Sequence, residues 1–525
     1  MNRIFRRKYT LYICLCIAML PIIILRDYTP SNELRYLSIA DEALRNHTFF
    51  TFYNHGEIYA DKPPLYFWAL MLCKWLFGEY KMWILALFSF LPAMGIIQVM
   101  DNWVKEELDS EHRSLARLML LTSGLFLSTS VFLRMDMLMT LFIILALREF
   151  WRMYTSEHLH TRSHWLFPLY MFLAIFTKGP FGLLIPLCAT LAFLIMKKQI
   201  KKLGQFWGWQ TWGILVLLCA CWFVGIYAEG GKEYLNNLLV HQTVGRAVNS
   251  FHHKEAFYYY LLHIWYCAAP WSILTLGMMA VSLRSQLPKS DLQRFFQVVF
   301  LATFVLLSCI SAKLQIYILP AIPFLIYVAV MFLPRLGSSK WLKISLAIPA
   351  AIFALTLPIT FIISSPEEVF HWGGIWVCVA ITILSGCGLH VLWLLYGKQR
   401  KVSIEKTIFH LGIGLLLSVF MGGWGMPCIN NDISYGTLCK KASSIAEEHK
   451  LTDFRTWHII RSENLDVYLH HPIRIIPDDS IPSKDAGKSY LLITKKRYLP
   501  QLSTKCKAQT IGQYAIVTFE KKNDL

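Results

Sequence analysis

Long apolar runs separated by short polar segments dominate the chain. The first run covers residues 9–25 and follows a basic start, so we predict an uncleaved first span that begins in the cytoplasm. Twelve later runs approach the length that crosses about 30 Å of hydrocarbon. They predict spans near residues 81–100, 114–133, 137–152, 164–177, 180–196, 209–228, 257–283, 295–311, 314–334, 343–364, 373–397 and 407–424. The pattern therefore predicts about thirteen crossings.

The apolar run at residues 65–77 is treated differently. It is short, contains Lys74 and follows the rigid pair Pro63-Pro64, so it predicts an interfacial helix that starts at the prolines. It belongs to a polar first outer loop at residues 26–80. After residue 424, β-like runs at 489–494 and 514–520 and a polar helix near 443–449 predict a small α/β domain.

Composition supports an all-α polytopic membrane protein with this small extra domain. Hydrophobic residues make up 55% of the 525 residues, charged residues make up 16%, and the mean hydropathy is +0.44, which excludes a soluble globule. The net charge of +18 collects in short loops between spans, so it does not indicate nucleic-acid binding. We predict residues 1–424 as the membrane domain and 425–525 as an extracytoplasmic domain.

The distribution of basic residues orients the predicted spans. With the start inside, the loops at 197–202, 284–294, 335–343 and 398–406 are cytoplasmic, and these are the basic loops. The same parity places the C-terminal domain outside, where Cys428 and Cys439 could form a disulfide. It also places an unusual set of polar residues at the outer membrane face, which is typical of an active site or a transport vestibule. This set comprises Glu33, Arg35, Asp61, Lys62, Asp136, Lys178, His241, Arg246 and Lys313.

Each of these residues also has a structural explanation. Glu33 can be a helix N-terminal acid capped by Ser31 or Asn32, and Asp61 can pair with Lys62 beside the prolines. Asp136 can pair with Arg134, although a carboxylate at membrane depth favours a function. Lys178, before Gly179-Pro180 in a predicted tight turn, can snorkel to the interface or bind a phosphate.

The aromatic residues 257–260 fit an interfacial belt better than a sugar platform. The histidines lack a short metal-ligand spacing, and the chain has no nucleotide-binding or serine-nucleophile motif. Outer-face chemistry would therefore use a donor carried by the membrane.

In their order along the chain, these motifs resemble the bacterial aminoarabinose transferases of lipid A and their relatives, the protein O-mannosyltransferases. This resemblance covers most of the membrane region and implies the GT-C class of glycosyltransferase. The matching positions are residues 32–36, 61–68, Asp136, 178–180, His241 with Arg246, 253–259, 270–271 and 311–320.

The resemblance implies a bacterial inner-membrane enzyme with a periplasmic active site. It would transfer a sugar from undecaprenyl phosphate to an envelope acceptor, most simply a lipid A phosphate, without a nucleic-acid partner. The implied catalytic residues are Asp136, Glu33 and Asp61. The implied donor-phosphate ligands are Lys62, Arg35, Lys178 and Arg246, and the other implied substrate contacts are Tyr317 and Lys313. The resemblance implies no specific cofactor, and a divalent metal at Asp61 and His241 stays open.

Two departures from the family pattern bear on the acceptor. The family aspartate three residues before the arginine is Asn32 here, and the usual glutamate before the lysine is Asp61. A phosphate acceptor is already anionic and needs no strong base, so the first departure slightly favours it over a protein hydroxyl. Transfer to a protein Ser or Thr, or to another envelope glycan, stays open. A lipid or sugar transporter is the rival class, although the chain shows no obvious internal repeat.

Overall fold

The protein is described by a computed structural model that covers residues 8–156, 161–239, 254–284, 288–336, 339–397, 403–482, 489–502 and 508–519. It is mostly helical. The first ten helices are α1 (Lys8–Leu25), α2 (Glu33–Asn46), α3 (Pro64–Phe77), α4 (Met82–Trp103), α5 (Ser110–Leu121), α6 (Gly124–Val131), α7 (Asp136–Thr155), α8 (Thr161–Lys178), α9 (Phe181–Met196) and α10 (Leu203–Phe206).

The remaining helices are α11 (Trp209–Asn236), α12 (Tyr259–Cys267), α13 (Ser272–Arg284), α14 (Asp291–Cys309), α15 (Ile322–Leu336), α16 (Lys340–Ile363), α17 (Pro366–Tyr396), α18 (Ile404–Gly423), α19 (Met426–Ile433), α20 (Gly436–Glu448) and α21 (Asp466–Leu469). The strands are β1 (Tyr53–Asn54), β2 (Glu57–Ile58), β3 (Phe454–Trp457), β4 (Ile473–Ile475), β5 (Tyr490–Lys495), β6 (Ala508–Ile511) and β7 (Tyr514–Phe519).

The chain is a multi-pass membrane protein, but the predicted count of thirteen crossings is not confirmed. In the described part of the chain, seven helices are long and apolar enough to cross a membrane, and a bent pair raises this number to eight. Four further apolar helices are shorter, among them α3 and α9. Hydropathy counts apolar residues but does not detect where a run is broken.

Two predicted spans are broken, and their breaks meet. The run 114–133 divides into α5 and α6, which are bent by 67°, and the run 257–283 divides into α12 and α13. At the junction the Gly124 amide donates to the Ala269 carbonyl over 2.8 Å. A Cβ at Gly124 would lie 2.8 Å from the Tyr266 carbonyl oxygen, so a side chain does not fit there.

The proline pair begins a helix as predicted. Pro63 occupies the N-cap position of α3 with extended backbone, and Pro64 is its first residue, where a missing N–H costs no hydrogen bond. The turn at Gly179 is also as tight as predicted: its φ is +105°, and it joins α8 directly to α9. Asn32 stands at the N-cap position of α2, but its side chain makes no capping hydrogen bond.

The C-terminal part confirms the predicted small α/β fold. Its five-stranded sheet has the order β4-β3-β5-β7-β6, with β3 parallel to β4 and β5 and the other pairs antiparallel. Predicted strands 489–494 and 514–520 are β5 and β7, and the predicted helix 443–449 is the end of the longer α20. The expected disulfide is wrong, because Cys428 and Cys439 are both free thiols.

This α/β part is attached to the C-terminal end of α1. The Asp27 carboxylate accepts hydrogen bonds from the Ser434 hydroxyl at 2.8 Å, the Gly436 amide at 3.0 Å and the Tyr468 hydroxyl at 2.7 Å. Buried apolar residues of α2, α3, α4, α20 and the sheet form one shared core. The first loop and the C-terminal part therefore cover the same end of the helix bundle.

Candidate active site

A cavity of about 310 Å³ lies at this end of the bundle. Its lining combines the three charged residues Asp61, Lys62 and Lys178 and the phenol of Tyr317 with a larger apolar surface. The apolar lining includes Ile175, Phe181, Leu183, Leu184, Trp222, Phe223, Leu238, Leu239 and Ile310. A few polar groups beside a continuous apolar wall suit a ligand with a charged head and a hydrocarbon tail.

The Asp61-Lys62 pair is placed in this cavity by the helix that follows it. Because Pro63 and Pro64 fix the backbone at the start of α3, residues 61 and 62 directly precede a helix N-terminus. The positive end of the helix dipole and the Lys62 ammonium both favour an anion at this position.

Asp136 and Lys178 meet because α7 and α8 pack side by side in opposite directions. Asp136 is the first residue of α7 and Lys178 is the last residue of α8, and their side chains form a buried ion pair. Arg134 approaches the other oxygen, with 3.5 Å from its Nε to Asp136 Oδ2. Lys178 Nζ also lies 4.8 Å from the centre of the Tyr317 ring. Asp136 is therefore held between two cations at the edge of the cavity.

Tyr36 of α2 is a buried tyrosine that the sequence analysis did not select. Burial raises its pKa, an effect that the cations Arg134 and Arg35 oppose and the carboxylates Asp136 and Asp61 reinforce. Its phenol is therefore sensitive to charged groups of both the Asp61 turn and the Asp136 ion pair. A tyrosine beside a conspicuous Glu-Leu-Arg motif was the available signal.

Glu33 has a different environment from the one expected of a general base. Its carboxylate is buried and accepts hydrogen bonds from Arg26 Nη1 and Nη2, both at 2.7 Å. It also accepts from the Thr29 amide at 2.6 Å, the Thr29 hydroxyl at 2.8 Å and the Leu133 amide at 2.6 Å. Glu33 does not line the cavity, and this geometry ties α1, α2 and the segment before α7 together.

Arg35 also lies outside the cavity lining. Its Nη2 donates to Asn32 Oδ1 at 3.2 Å, and its guanidinium lies 5.5 Å from the centre of the Tyr59 ring. With an amide at position 32 in place of the family aspartate, Arg35 meets a neutral acceptor there and its charge is not neutralised by that neighbour.

Lys313 does not line the main cavity. Its buried ammonium donates to the carbonyl oxygens of Glu255 at 2.9 Å and Ile310 at 2.6 Å. It contributes to a separate hollow between α12 and α14, whereas Tyr317, four residues later, lines the main cavity. The predicted substrate contact thus fits the position of Tyr317 better than that of Lys313.

The predicted residues His241 and Arg246 lie outside the described residues. Among the residues that the structure describes, no group of three or more His, Cys, Asp and Glu side chains could hold a metal ion. Asp61 is at the cavity, and the metal option at Asp61 and His241 stays a prediction.

Comparison with known proteins places these residues in context. Residues 61–226, which include both the Asp61 turn and the Asp136–Lys178 pair, match the family described as dolichyl-phosphate-mannose-protein mannosyltransferase. An uncharacterized protein of Aquifex aeolicus is 25% identical over 342 residues, which are 63% of this chain and 66% of that protein. The undecaprenyl phosphate-alpha-4-amino-4-deoxy-L-arabinose arabinosyl transferase of Shewanella sediminis is 24% identical over 419 residues, covering 78% of this chain and 74% of that protein.

A similar fold has been solved. The crystal structure of ArnT from Cupriavidus metallidurans bound to undecaprenyl phosphate superposes with a TM-score of 0.75 and 18% identity, over 98% of this chain and 97% of that chain. Its apo state gives a TM-score of 0.74. The likeness extends over both the helix bundle and the C-terminal sheet, so the predicted GT-C architecture is confirmed.

Proposed function

We propose a function for this chain on the premise that it is a relative of the bacterial aminoarabinose transferases and of the protein mannosyltransferases, as the motifs predicted and the matches confirm. It is a glycosyltransferase that takes a sugar from undecaprenyl phosphate and transfers it to a phosphate of lipid A. The observation that carries this proposal is the cavity in which Asp61, Lys62, Lys178 and Tyr317 meet a continuous apolar wall.

The cavity supports a lipid-linked donor because its two surfaces match the two parts of such a molecule. The ammonium groups of Lys62 and Lys178 suit a phosphate, and the apolar residues of α8, α9 and α11 suit a polyprenyl chain. The cavity lies at the end of the bundle that the C-terminal part covers, and the positive-inside rule predicts that this part is outside the cytoplasm. We therefore propose that the reaction takes place at the periplasmic face of the inner membrane.

In the proposed reaction, an oxygen of the acceptor phosphate attacks the anomeric carbon of the sugar. The bond between that carbon and the donor phosphate oxygen breaks, and undecaprenyl phosphate leaves with one additional negative charge. Lys62 and Lys178 stabilise this charge as it develops, so they bind the transition state more strongly than the substrate and thereby accelerate the step.

Glu33 and Asp136 are each engaged by cations, which does not suit proton removal. Glu33 is engaged by Arg26 and two backbone amides, and Asp136 is held between Lys178 and Arg134. An acceptor hydroxyl would have to lose a proton, whereas an acceptor phosphate is already ionised. This arrangement favours a phosphate acceptor, and we assign Asp136 to orienting it.

Mass spectrometry of lipid A tests the proposal. Cells that contain the chain should carry a sugar-sized mass increment on lipid A that disappears on deletion and in Asp136→Asn cells with equal amounts of folded protein. Unchanged lipid A, in cells shown to make the protein and its donor, would contradict lipid A as the acceptor. Retained wild-type transfer by Asp136→Asn would remove Asp136 from the site.

A further inference from the structure

The segment that leads into the Asp61-Lys62 turn is held by a single carboxylate on α11. Glu229 Oε1 accepts from the Phe49 amide at 2.6 Å, and its Oε2 accepts from the Phe50 amide at 2.5 Å and the Thr51 amide at 2.8 Å. Three consecutive backbone donors converging on one carboxylate are charge-assisted hydrogen bonds, which are roughly twice as strong as neutral ones. They fix where this segment begins.

A second contact from α11 fixes where the segment ends. The buried hydroxyl of Tyr234 accepts from the Phe52 amide at 3.0 Å and donates to the Tyr59 carbonyl, also at 3.0 Å. The Tyr59 amide in turn donates to the Phe52 carbonyl at 2.9 Å. One phenol thus closes the base of the β1–β2 hairpin, two residues before Asp61.

Glycines allow α11 to approach this segment closely. A Cβ at Gly230 would lie 2.5 Å from Thr51 Cγ2, and one at Gly225 would lie 2.9 Å from the Phe50 ring. Gly231, with φ of +66°, interrupts the helix between Glu229 and Tyr234. Two glycines therefore let the backbone of α11 approach this segment closely, and a third bends the helix between Glu229 and Tyr234.

The same helix forms a wall of the cavity. Trp222 and Phe223 of α11 line it opposite the residues 60–63, and Ala60 packs in one apolar cluster with Trp222 and Tyr234. A helix that touches both the ligand cavity and the base of the turn can set the position of the turn relative to the ligand.

We propose that Glu229 and Tyr234 are positioning residues that hold Asp61 and Lys62 at the cavity. We call the hydrogen bonds of Glu229 and Tyr234 to residues 49–52 and 59 the clamp. This inference rests on the proposed function, because it assigns the clamp to the binding of the donor phosphate. The alternative is that both residues only stabilise the fold, in which case binding by the folded protein would not depend on them.

Binding of undecaprenyl phosphate to the purified full chain in lipid nanodiscs distinguishes the two roles. In Glu229→Gln, one of the two oxygens becomes an amide donor that faces a backbone N–H, so at least one of the three hydrogen bonds is lost and the charge that strengthens the others is removed. We expect the Kd for undecaprenyl phosphate to rise about tenfold, which corresponds to about 1.4 kcal/mol. Tyr234→Phe, which keeps the ring and removes only the hydroxyl, should change the Kd in the same direction.

Glu42 supplies a matched control in the same loop. Its carboxylate accepts from the His55 amide at 2.6 Å and the Gly56 amide at 2.9 Å, at the tip of the hairpin instead of its base. Glu42→Gln should lower the melting temperature but leave the Kd within about twofold of wild type, a change of about 0.4 kcal/mol.

A double-mutant cycle with Lys62→Ala tests whether the clamp acts through the turn. If it does, Glu229→Gln should raise the Kd by less than about twofold once Lys62 is absent, because the group that it positions has been removed. Independent, multiplicative effects, or a Glu229→Gln protein that melts earlier but binds like wild type, would overturn the positioning role. Wild-type protein that neither binds undecaprenyl phosphate nor transfers sugar would contradict the proposed function instead.

Discussion

The substitution Glu33→Gln separates a catalytic base from a structural anchor. Glutamine offers one acceptor oxygen, whereas each oxygen of Glu33 accepts from Arg26 and from at least one backbone amide. Either orientation of the new amide places an NH₂ group against N–H donors. The substitution also leaves the buried Arg26 guanidinium, which is only 5% exposed, without its carboxylate.

The size of the effect follows from that uncompensated charge. Removing one partner of a buried ion pair costs about 3–5 kcal/mol, so we expect the free energy of unfolding of Glu33→Gln to fall by about that amount. The double variant Arg26→Gln with Glu33→Gln should recover part of the loss, because no buried charge is then left alone. Arg26 also donates to the Val131 carbonyl at 2.9 Å, so the recovery should be incomplete.

Unfolding in mixed detergent micelles, followed alongside transfer activity per folded molecule, measures both consequences. The structure predicts a less stable protein whose folded fraction retains most of its activity. A Glu33→Gln protein as stable as wild type but inactive would refute this reasoning and restore Glu33 as a catalytic base. A Glu33→Gln protein that is less stable than wild type and is also inactive at a temperature where it is fully folded would show that the anchor also shapes the site.

Two further changes probe the donor site and the attachment of the C-terminal part. Lys62→Ala should raise the KM for the lipid-linked donor about tenfold or more by removing a charge-assisted phosphate contact of about 1.5–3 kcal/mol, and an unchanged donor saturation curve would contradict that role. At the contact with α2, burial raises the pKa of Asp466, whose carboxylate accepts from the Ser38 hydroxyl at 3.3 Å. A carboxyl whose pKa is higher in the folded state binds its proton more tightly there, so its contribution to stability grows as the pH falls through the folded-state pKa and is complete below the unfolded value of about 3.9. Asp466→Asn should remove this part of the pH dependence of the melting temperature, and an unaltered pH profile would contradict it.

Features that depend on local backbone constraints were predictable from the sequence. Pro63-Pro64 predicted the start of α3, Gly179-Pro180 predicted a tight turn, and short β-like apolar runs predicted β5 and β7. The cavity residues Asp61, Lys62 and Lys178 were recognisable in the sequence, because a charge in an apolar chain needs a partner or a function.

Roles within that group required the tertiary structure, because they depend on which residues face each other across the bundle. Glu33 became an anchor only because Arg26 and Leu133, 7 and 100 positions away, converge on it. Asp136 and Lys178, 42 positions apart, meet through the antiparallel packing of α7 and α8.

The clamp on the Asp61 turn shows most clearly that contacts between distant parts of the chain cannot be predicted from the sequence. Glu229 and the amides that it accepts from are about 180 positions apart, and an isolated glutamate at the end of an apolar helix has no sequence pattern that names its partners. Hydrophobic periodicity and proline placement act within a few residues of the chain, so they determine elements and their ends. The partners of a buried charge are chosen by helix packing, and only the folded chain brings them within hydrogen-bond distance.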